Sequence, residues 1–378
     1  MGLPLPAPPR WREMSGSDDE ALELLVDSLK IYSPTKAEGE LAAFLADGMR
    51  RLGYSRVRTD GAGNVTGEVG KGKPRLLLCG HMDTVPGKLR VRRTRDAVYG
   101  RGAADAKSPL CALLLAGVRA ADSGVRITFA GATEEEGDGA GVEALAKLGS
   151  TYDYAVFGEP SGAERITIGY RGRIGLRVVV RTPGGHAGSP WAHRSAFDEF
   201  ASVLGRLREY EAAHQVQGDH FKSMSVSPTL VSAGSYQNVV PGLCDATFDV
   251  RLPPGLLSAK VLRDIRSMVE GSRDGVEVKV ISGPPTEAYE ADLGSRLVRA
   301  FQRAILLRLG KRPSLVRKTG TGDMNTFARK KGAACVTYGP GSSGTSHTDG
   351  EVVLIRDYLD SIEVAREAIG QLVSMRGA

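Results

Sequence analysis

Four short apolar runs, RLLLC (75–79), VRITFAGA (125–132), YAVFG (154–158) and ACVTYG (334–339), each give way to a polar loop, with helix-patterned segments between them. Alternation of this kind restricts the chain to an α/β layer with a largely parallel core sheet. The helical segments include LCALLLAGVRAA, with Pro109 near its first turn, a stretch near GVEALAKL, and DLGSRLVRAFQRAILLRL. Ser17-x-x-Glu20 and Thr35-x-x-Glu38 have the spacing of capping boxes and predict two more helices near the start.

From about residue 166 the texture changes. Gly- and Arg-interrupted alternation (ITIGYRGRIGLRVVVRT) precedes an amphipathic helix, two strands, a helix and a strand ending near residue 282. The order β-α-β-β-α-β predicts an α+β, ferredoxin-like module. Because α/β texture returns beyond Gly283-Pro284-Pro285, this module reads as an insertion: residues 18–167 and 283–378 form the outer catalytic domain, and 168–282 form the inserted one. The opening MGLPLPAPPRWREMSGS (1–17) reads as a disordered arm without the apolar region of a signal peptide. The most apolar stretch, LCALLLAGV, is half a membrane span. A cytoplasmic protein is therefore expected.

Cys79, Cys111, Cys244 and Cys335 are scattered without a CxxC pair, so they read as reduced core residues. The net charge of +6 favours acidic partners, but no nucleic-acid-binding signature accompanies it. A merely basic surface is the plain alternative.

Ligands in α/β folds gather at the carboxyl ends of the strands, and chemistry-bearing residues are concentrated there. His81 and Asp83 follow RLLLC; on an extended segment they face one side, which suits a metal-binding imidazole and its orienting carboxylate, or simply a satisfied hydrogen bond. Asp105 precedes a helix, Glu134, Glu135 and Glu136 follow VRITFAGA, Glu159 follows YAVFG, and His347 lies beyond ACVTYG. Taken singly, the glutamates could be a solvated acidic run, Asp105 a helix N-terminal carboxylate, and His347 a loop histidine. Together they suit a binuclear zinc site with Asp105 shared.

GHMDTVP, GRGAADAKSP, the EEEG run, GEPS and SHTDGE occur in the order found in the zinc-dependent aminoacylase and carboxypeptidase family, which the sequence resembles over nearly its whole length after about residue 18. That family includes acetylornithine deacetylases, succinyl-diaminopimelate desuccinylases and the carrier-protein lysine/ornithine hydrolases. The resemblance implies two zinc ions per subunit, replaceable by cobalt. His81 and Glu159 would hold one, Glu136 and His347 the other, and Asp105 would bridge them. Asp83 would orient His81, and Glu135 would act as general base. His186, in TPGGHAGSP, matches a histidine that reaches into the partner's site to stabilise the oxyanion, which implies a homodimer formed through the inserted lid domain. Asn238 and Arg251 match substrate-contacting lid residues, Arg251 suiting a carboxylate.

KTGTGDMNTFA (318–328) and YGPGSSGTSHTDGE look most like the hydrolases that release lysine or ornithine from the terminal glutamate of the acidic amino-group carrier protein LysW. Asp323 would meet the substrate ammonium, or serve only as a helix cap. The clusters KLRVRRTR (88–95), RGRIGLR (171–177) and KRPSLVRK (311–318) are candidates for steering such a carrier. The same machinery would serve an N-acetylornithine deacetylase, a succinyl-diaminopimelate desuccinylase or a dipeptidase. A catalytically dead binding protein would require missing ligands, and every expected position is filled.

Overall fold

A computed structural model describes residues 18–374. The expected N-terminal arm lies outside them, as does Ser17. The chain divides into two compact units. The first comprises the described residues up to Ile168, Ala291–Val316 and the chain from Thr326 onward; the second comprises Gly169–Glu290 and Arg317–Asn325.

Four parallel strands form the centre of the first unit, side by side in the order Arg126–Ala132, Arg75–His81, Tyr154–Gly158 and Ala334–Thr337. Antiparallel strands flank them, Val65–Val69 beside Arg126–Ala132 and Arg165–Tyr170 beside Ala334–Thr337. The α/β expectation therefore holds. Leu76, Leu77, Leu78, Ile127, Phe129, Val156 and Val336 are almost wholly buried, each worth about 1.5–3 kcal/mol relative to exposure. The helix Lys107–Arg119 is buried on every face from Lys107 to Gly117, which accounts for its apolar sequence. Its one buried cation, Lys107, donates from Nζ to the carbonyls of Ser28 (3.1 Å) and Ile31 (2.5 Å). All four cysteines are buried, and no disulfide joins them.

The second unit contains the β-α-β-β-α-β order expected of a ferredoxin-like module: Gly172–Arg181, Ala196–Ala212, Ser225–Ala233, Leu243–Leu252, Ser258–Val269 and Val276–Ser282. Numbered within the module, its four strands lie in the order 4-1-3-2, all antiparallel, with the short strand Gly271–Arg273 added at one edge. Alternation in Gly172–Arg181 sends Ile174, Leu176, Val178 and Val180 inward against Phe200, Val203, Leu207, Phe248, Val261 and Ile265. Ser195 caps the first helix by accepting the Asp198 N–H.

The second proposed capping box is corrected by long-range contacts. Glu38 sits at the N-cap of the helix Gly39–Arg51 in an αR conformation and makes no side-chain cap. Its Oε1 accepts instead from Lys36 N (3.0 Å) and Glu134 N (3.1 Å), while Thr35 Oγ1 donates to Asp83 Oδ2 at 2.9 Å. A small antiparallel sheet of Arg92–Arg93, Ala97–Tyr99 and Val352–Leu354 was not anticipated.

Candidate metal centre

The first unit carries its chemistry where its parallel strands end. His81 is the last residue of its strand, and Glu159 directly follows Tyr154–Gly158. Glu135 and Glu136 follow Ala132 by three and four residues, and His347 lies ten beyond Thr337. Asp105 lies two residues before the helix Lys107–Arg119.

Asp105 occupies the middle of the group. Its Oδ1 is 3.3 Å from His81 Nε2, and its Oδ2 is 3.5 Å from His347 Nε2. Glu159 Oε1 approaches His81 Nε2 at 3.7 Å, and Glu136 Oε1 lies 2.7 Å from His347 Nε2. The donor atoms fall into overlapping sets within 4.8 Å of one another: His81, Asp105 and Glu159; Asp105, Glu136 and His347; and His81, Glu135 and Glu136. This sharing of two Asp105 oxygens between two imidazoles is the spacing a carboxylate bridge requires. The donor set fits one or two divalent ions of the kind that accept nitrogen and oxygen ligands.

Charge points the same way. Five carboxylates, those of Asp83, Asp105, Glu135, Glu136 and Glu159, lie close to one or both of the two imidazoles. Burial opposes a charged His81, but hydrogen bonds with Asp105 and Asp83 and the charges of Glu159 and Glu135 hold its imidazolium well above the ordinary range. Burial pushes Glu136 up, and Asp105 adds to the push against the two histidines. Asp105 is lowered because His81 and His347 outweigh its own burial. A bound cation would neutralise this excess directly.

His81 is oriented through its other nitrogen. Nδ1 lies 2.9 Å from the main-chain oxygen of Asp83 and 3.4 Å from its Oδ1, leaving Nε2 for the site. The nearer acceptor is thus the Asp83 carbonyl rather than its carboxylate. That carboxylate, fully buried, accepts from Glu135 N (3.0 Å), Glu136 N (3.1 Å) and Thr35 Oγ1. Its hydrogen bonds and the His81 charge outweigh burial and hold it below the usual carboxylate range.

Other braces escaped sequence reasoning because their partners are distant in the chain. Buried Asn64 accepts from Thr133 N (3.0 Å) and donates to Gly141 O (3.0 Å), gripping both ends of the glutamate loop. Glu38 holds the Glu134 N–H from the other side. Glu134 and His347 both have left-handed backbones, φ 57° and 64°, which cost a non-glycine residue on the order of 1 kcal/mol and persist where surroundings enforce them.

The remaining predicted residues belong to the second unit. His186 pairs with Val239 in a two-stranded ribbon, and the Asn238 carbonyl accepts from Ala187 N at 2.9 Å. Gly184 precedes this ribbon at φ 64°, with Val240 O only 2.8 Å from where a Cβ would stand, so the turn requires glycine. His186 Nδ1 accepts from Gly188 N at 2.9 Å, which leaves the proton of the neutral ring on Nε2. Arg251 is held by Asp249 through Nε (2.5 Å) and Nη2 (3.2 Å), and donates from Nη1 to Thr321 Oγ1 at 3.0 Å. Asp323 is the first residue of the helix Asp323–Lys331.

The model of peptidase family M20/M25/M40 matches residues 77–371, a span that includes every predicted ligand. The chain belongs to this family. As a member, it is 30% identical over 357 residues to a LysW-lysine/LysW-ornithine hydrolase of Sulfurisphaera tokodaii, with 93% of this chain and 95% of the relative covered. It is 36% identical to a Pyrobaculum aerophilum protein provisionally given the same name, covering 94% and 97%. Among solved structures, the fold is shared with the aminopeptidase PepT of Bacillus cereus (TM-score 0.80, 20% identity, 94% and 99% covered). It is also shared with an M20 family metallo-carboxypeptidase of Sulfolobus solfataricus (TM-score 0.77, 19% identity, 94% and 99% covered).

Proposed function

We propose that this protein is a binuclear-zinc amidohydrolase that releases lysine or ornithine from the C-terminal glutamate of the acidic carrier protein LysW, serving lysine and arginine biosynthesis. The observation carrying the chemistry is Asp105, whose two oxygens face two imidazoles at 3.3 and 3.5 Å. The substrate reading rests on the names of relatives that align over more than nine-tenths of both chains.

In this reading His81 and Glu159 would hold one zinc, Glu136 and His347 would hold the other, and Asp105 would be shared between them; cobalt would substitute. When bound, the metal pair polarises the amide carbonyl and acidifies the attacking water. Glu135 accepts the proton of that water and delivers it to the departing amine as the C–N bond breaks. The Asp83 carboxylate fixes Glu135 through its backbone N–H. His186 of a second copy donates its Nε2 proton in a hydrogen bond to the tetrahedral oxyanion. Asn238 and Arg251 bind the substrate, Arg251 through a carboxylate, and Asp323 meets the side-chain ammonium.

Homodimerisation through the inserted unit is supported by its apolar surface. The edge strand Ser225–Ala233 exposes Leu230 and Val231, with Tyr236, Val239 and Leu243 exposed nearby in the sequence. Carrier docking is best supported at residues 88–95, where Lys88, Arg90, Arg92, Arg93 and Arg95 are exposed. That cluster has one such pair, Arg93 with Asp19, whereas the other two carry two each: Arg173 with Asp249, Arg177 with Asp245, Lys311 with Glu164 and Arg317 with Glu290. No helix among the described residues is long and apolar enough to cross a membrane, which accords with a cytoplasmic role.

Intact-mass spectrometry of lysine-loaded carrier protein, incubated with zinc-loaded enzyme beside a parallel N-acetylornithine reaction, tests the proposal. Loss of lysine from the carrier with little deacetylation is expected. Deacetylation without carrier unloading would make the protein a small-molecule deacylase.

A further inference from the structure

Two buried charged residues beneath the metal centre have no part in the chemistry above. Glu351 is 1% exposed and Arg101 is 7% exposed. Glu351 Oε1 accepts from three backbone N–H groups of one loop, those of Gly102 (3.1 Å), Ala104 (3.0 Å) and Asp105 (2.9 Å). Its Oε2 accepts from Arg101 Nη1 at 2.9 Å. The same guanidinium donates from Nε to Gly87 O (2.9 Å) and from Nη1 to Thr348 O (3.1 Å). One ion pair therefore joins the segment following His81, the loop presenting Asp105 and the loop presenting His347.

Stability alone does not call for such a pair. Burying two charges costs several kcal/mol per ion before pairing repays it, and apolar residues of similar volume generally serve stability as well. Direction is what the pair provides. The Asp105 N–H bound to Glu351 fixes the peptide plane from which the bridging carboxylate projects, and the Asp105 oxygens reach two different imidazoles. Thr348, one residue beyond His347, is held by the same arginine. A small rotation of either loop would carry Asp105 and His347 apart and break the sharing of Asp105.

We propose that Arg101 and Glu351 are positioning residues that set Asp105 as the shared ligand and hold His347 in register with it. Their loss weakens the second metal, held by Asp105, Glu136 and His347, more than the first. The proposal rests on the metal-centre reading but not on the identity of the substrate.

The test is zinc affinity by chelator competition, together with the absorption spectrum of the cobalt-substituted enzyme, for Glu351→Gln and Arg101→Lys. Glu351→Gln keeps an acceptor for the three N–H groups but turns an NH₂ toward Arg101; Arg101→Lys keeps the charge but loses the fork. Glu363→Gln is the control, because it removes another ion pair of the same unit, Arg119 with Glu363 at 2.9 Å. Measurements are made where circular dichroism shows each variant folded, and Arg101→Lys decides the matter if Glu351→Gln does not fold.

We expect the weaker zinc step to loosen by about 10- to 100-fold in both variants, with an altered cobalt spectrum and an unchanged control. Unchanged affinity in either folded variant, or an equal loss in Glu363→Gln, would overturn the positioning role. A wild-type enzyme that takes up no divalent metal would overturn the metal-centre reading and this proposal with it.

Discussion

At the scale of single residues, Asp83 shows how one side chain can matter through neighbours it does not ligate with. Its carboxylate gathers the Glu135 and Glu136 N–H groups and the Thr35 hydroxyl, whereas His81 leans mainly on its carbonyl. Asp83→Asn must turn an NH₂ group toward at least one of those donors. We expect kcat to fall by about 10- to 100-fold while zinc at His81 is retained, because the main-chain bond to His81 survives. Steady-state kinetics with metal analysis of the same sample checks this; zinc loss at His81 with normal kcat in the loaded fraction would contradict it.

Asp249 offers a test at the same scale through pH. Burial would raise its carboxyl, but Arg251 and Arg173 outweigh burial and hold it below its ordinary value of 3.8. A carboxylate lowered on folding contributes stability above its unfolded pKa and loses it as pH falls through the folded one. Asp249→Asn should therefore cost about 1 kcal/mol at neutral pH, and the difference from wild type should shrink as pH falls below 3.8. Denaturant titrations across that range read the effect, and a pH-independent difference would exclude the ion-pair account.

At the scale of elements, the strands with their polar ends were legible because each pairs a short apolar run with an abrupt change of chemistry. His81, Glu159 and His347 could be picked out for that reason, Asp105 by its place just before a helix, and Glu136 among three adjacent glutamates only through the family resemblance; the structure brings their donor atoms together. Braces were less legible. Thr35-x-x-Glu38 carries the spacing of a capping box, yet its side chains serve Asp83 and Glu134, about 50 and 100 residues away. Glu351 and Arg101 were visible only as letters within motifs, since their partnership spans 250 residues. The grouping of Arg317–Asn325 with the second unit was hidden for the same reason: Asn325 Nδ2 donates to Glu287 O at 2.8 Å, a contact no local pattern announces. Glu38→Gln should leave zinc affinity unchanged but lower kcat several-fold, because its amide is a poorer acceptor for the Glu134 N–H than a carboxylate. Kinetics on the metal-replete variant would show it, and a wild-type kcat would remove Glu38 from the account.

At the scale of the whole molecule, the proposed donation by His186 makes a complete site depend on two copies of the chain. Inactive His186→Ala and inactive Glu135→Ala subunits, mixed under conditions that allow exchange, should recover about a quarter of wild-type activity. Random pairing makes half of the dimers hybrid, each with one complete site. No recovery, with hybrid dimers demonstrated by native mass spectrometry, would rule out donation across the dimer.

Anomalous diffraction from crystals of the zinc-loaded enzyme tests most directly the proposal that a two-metal centre is bridged by Asp105. Two zinc peaks are expected, one beside His81 and Glu159 and one beside Glu136 and His347, with Asp105 contacting both. A single peak, or two peaks that Asp105 does not join, would contradict it.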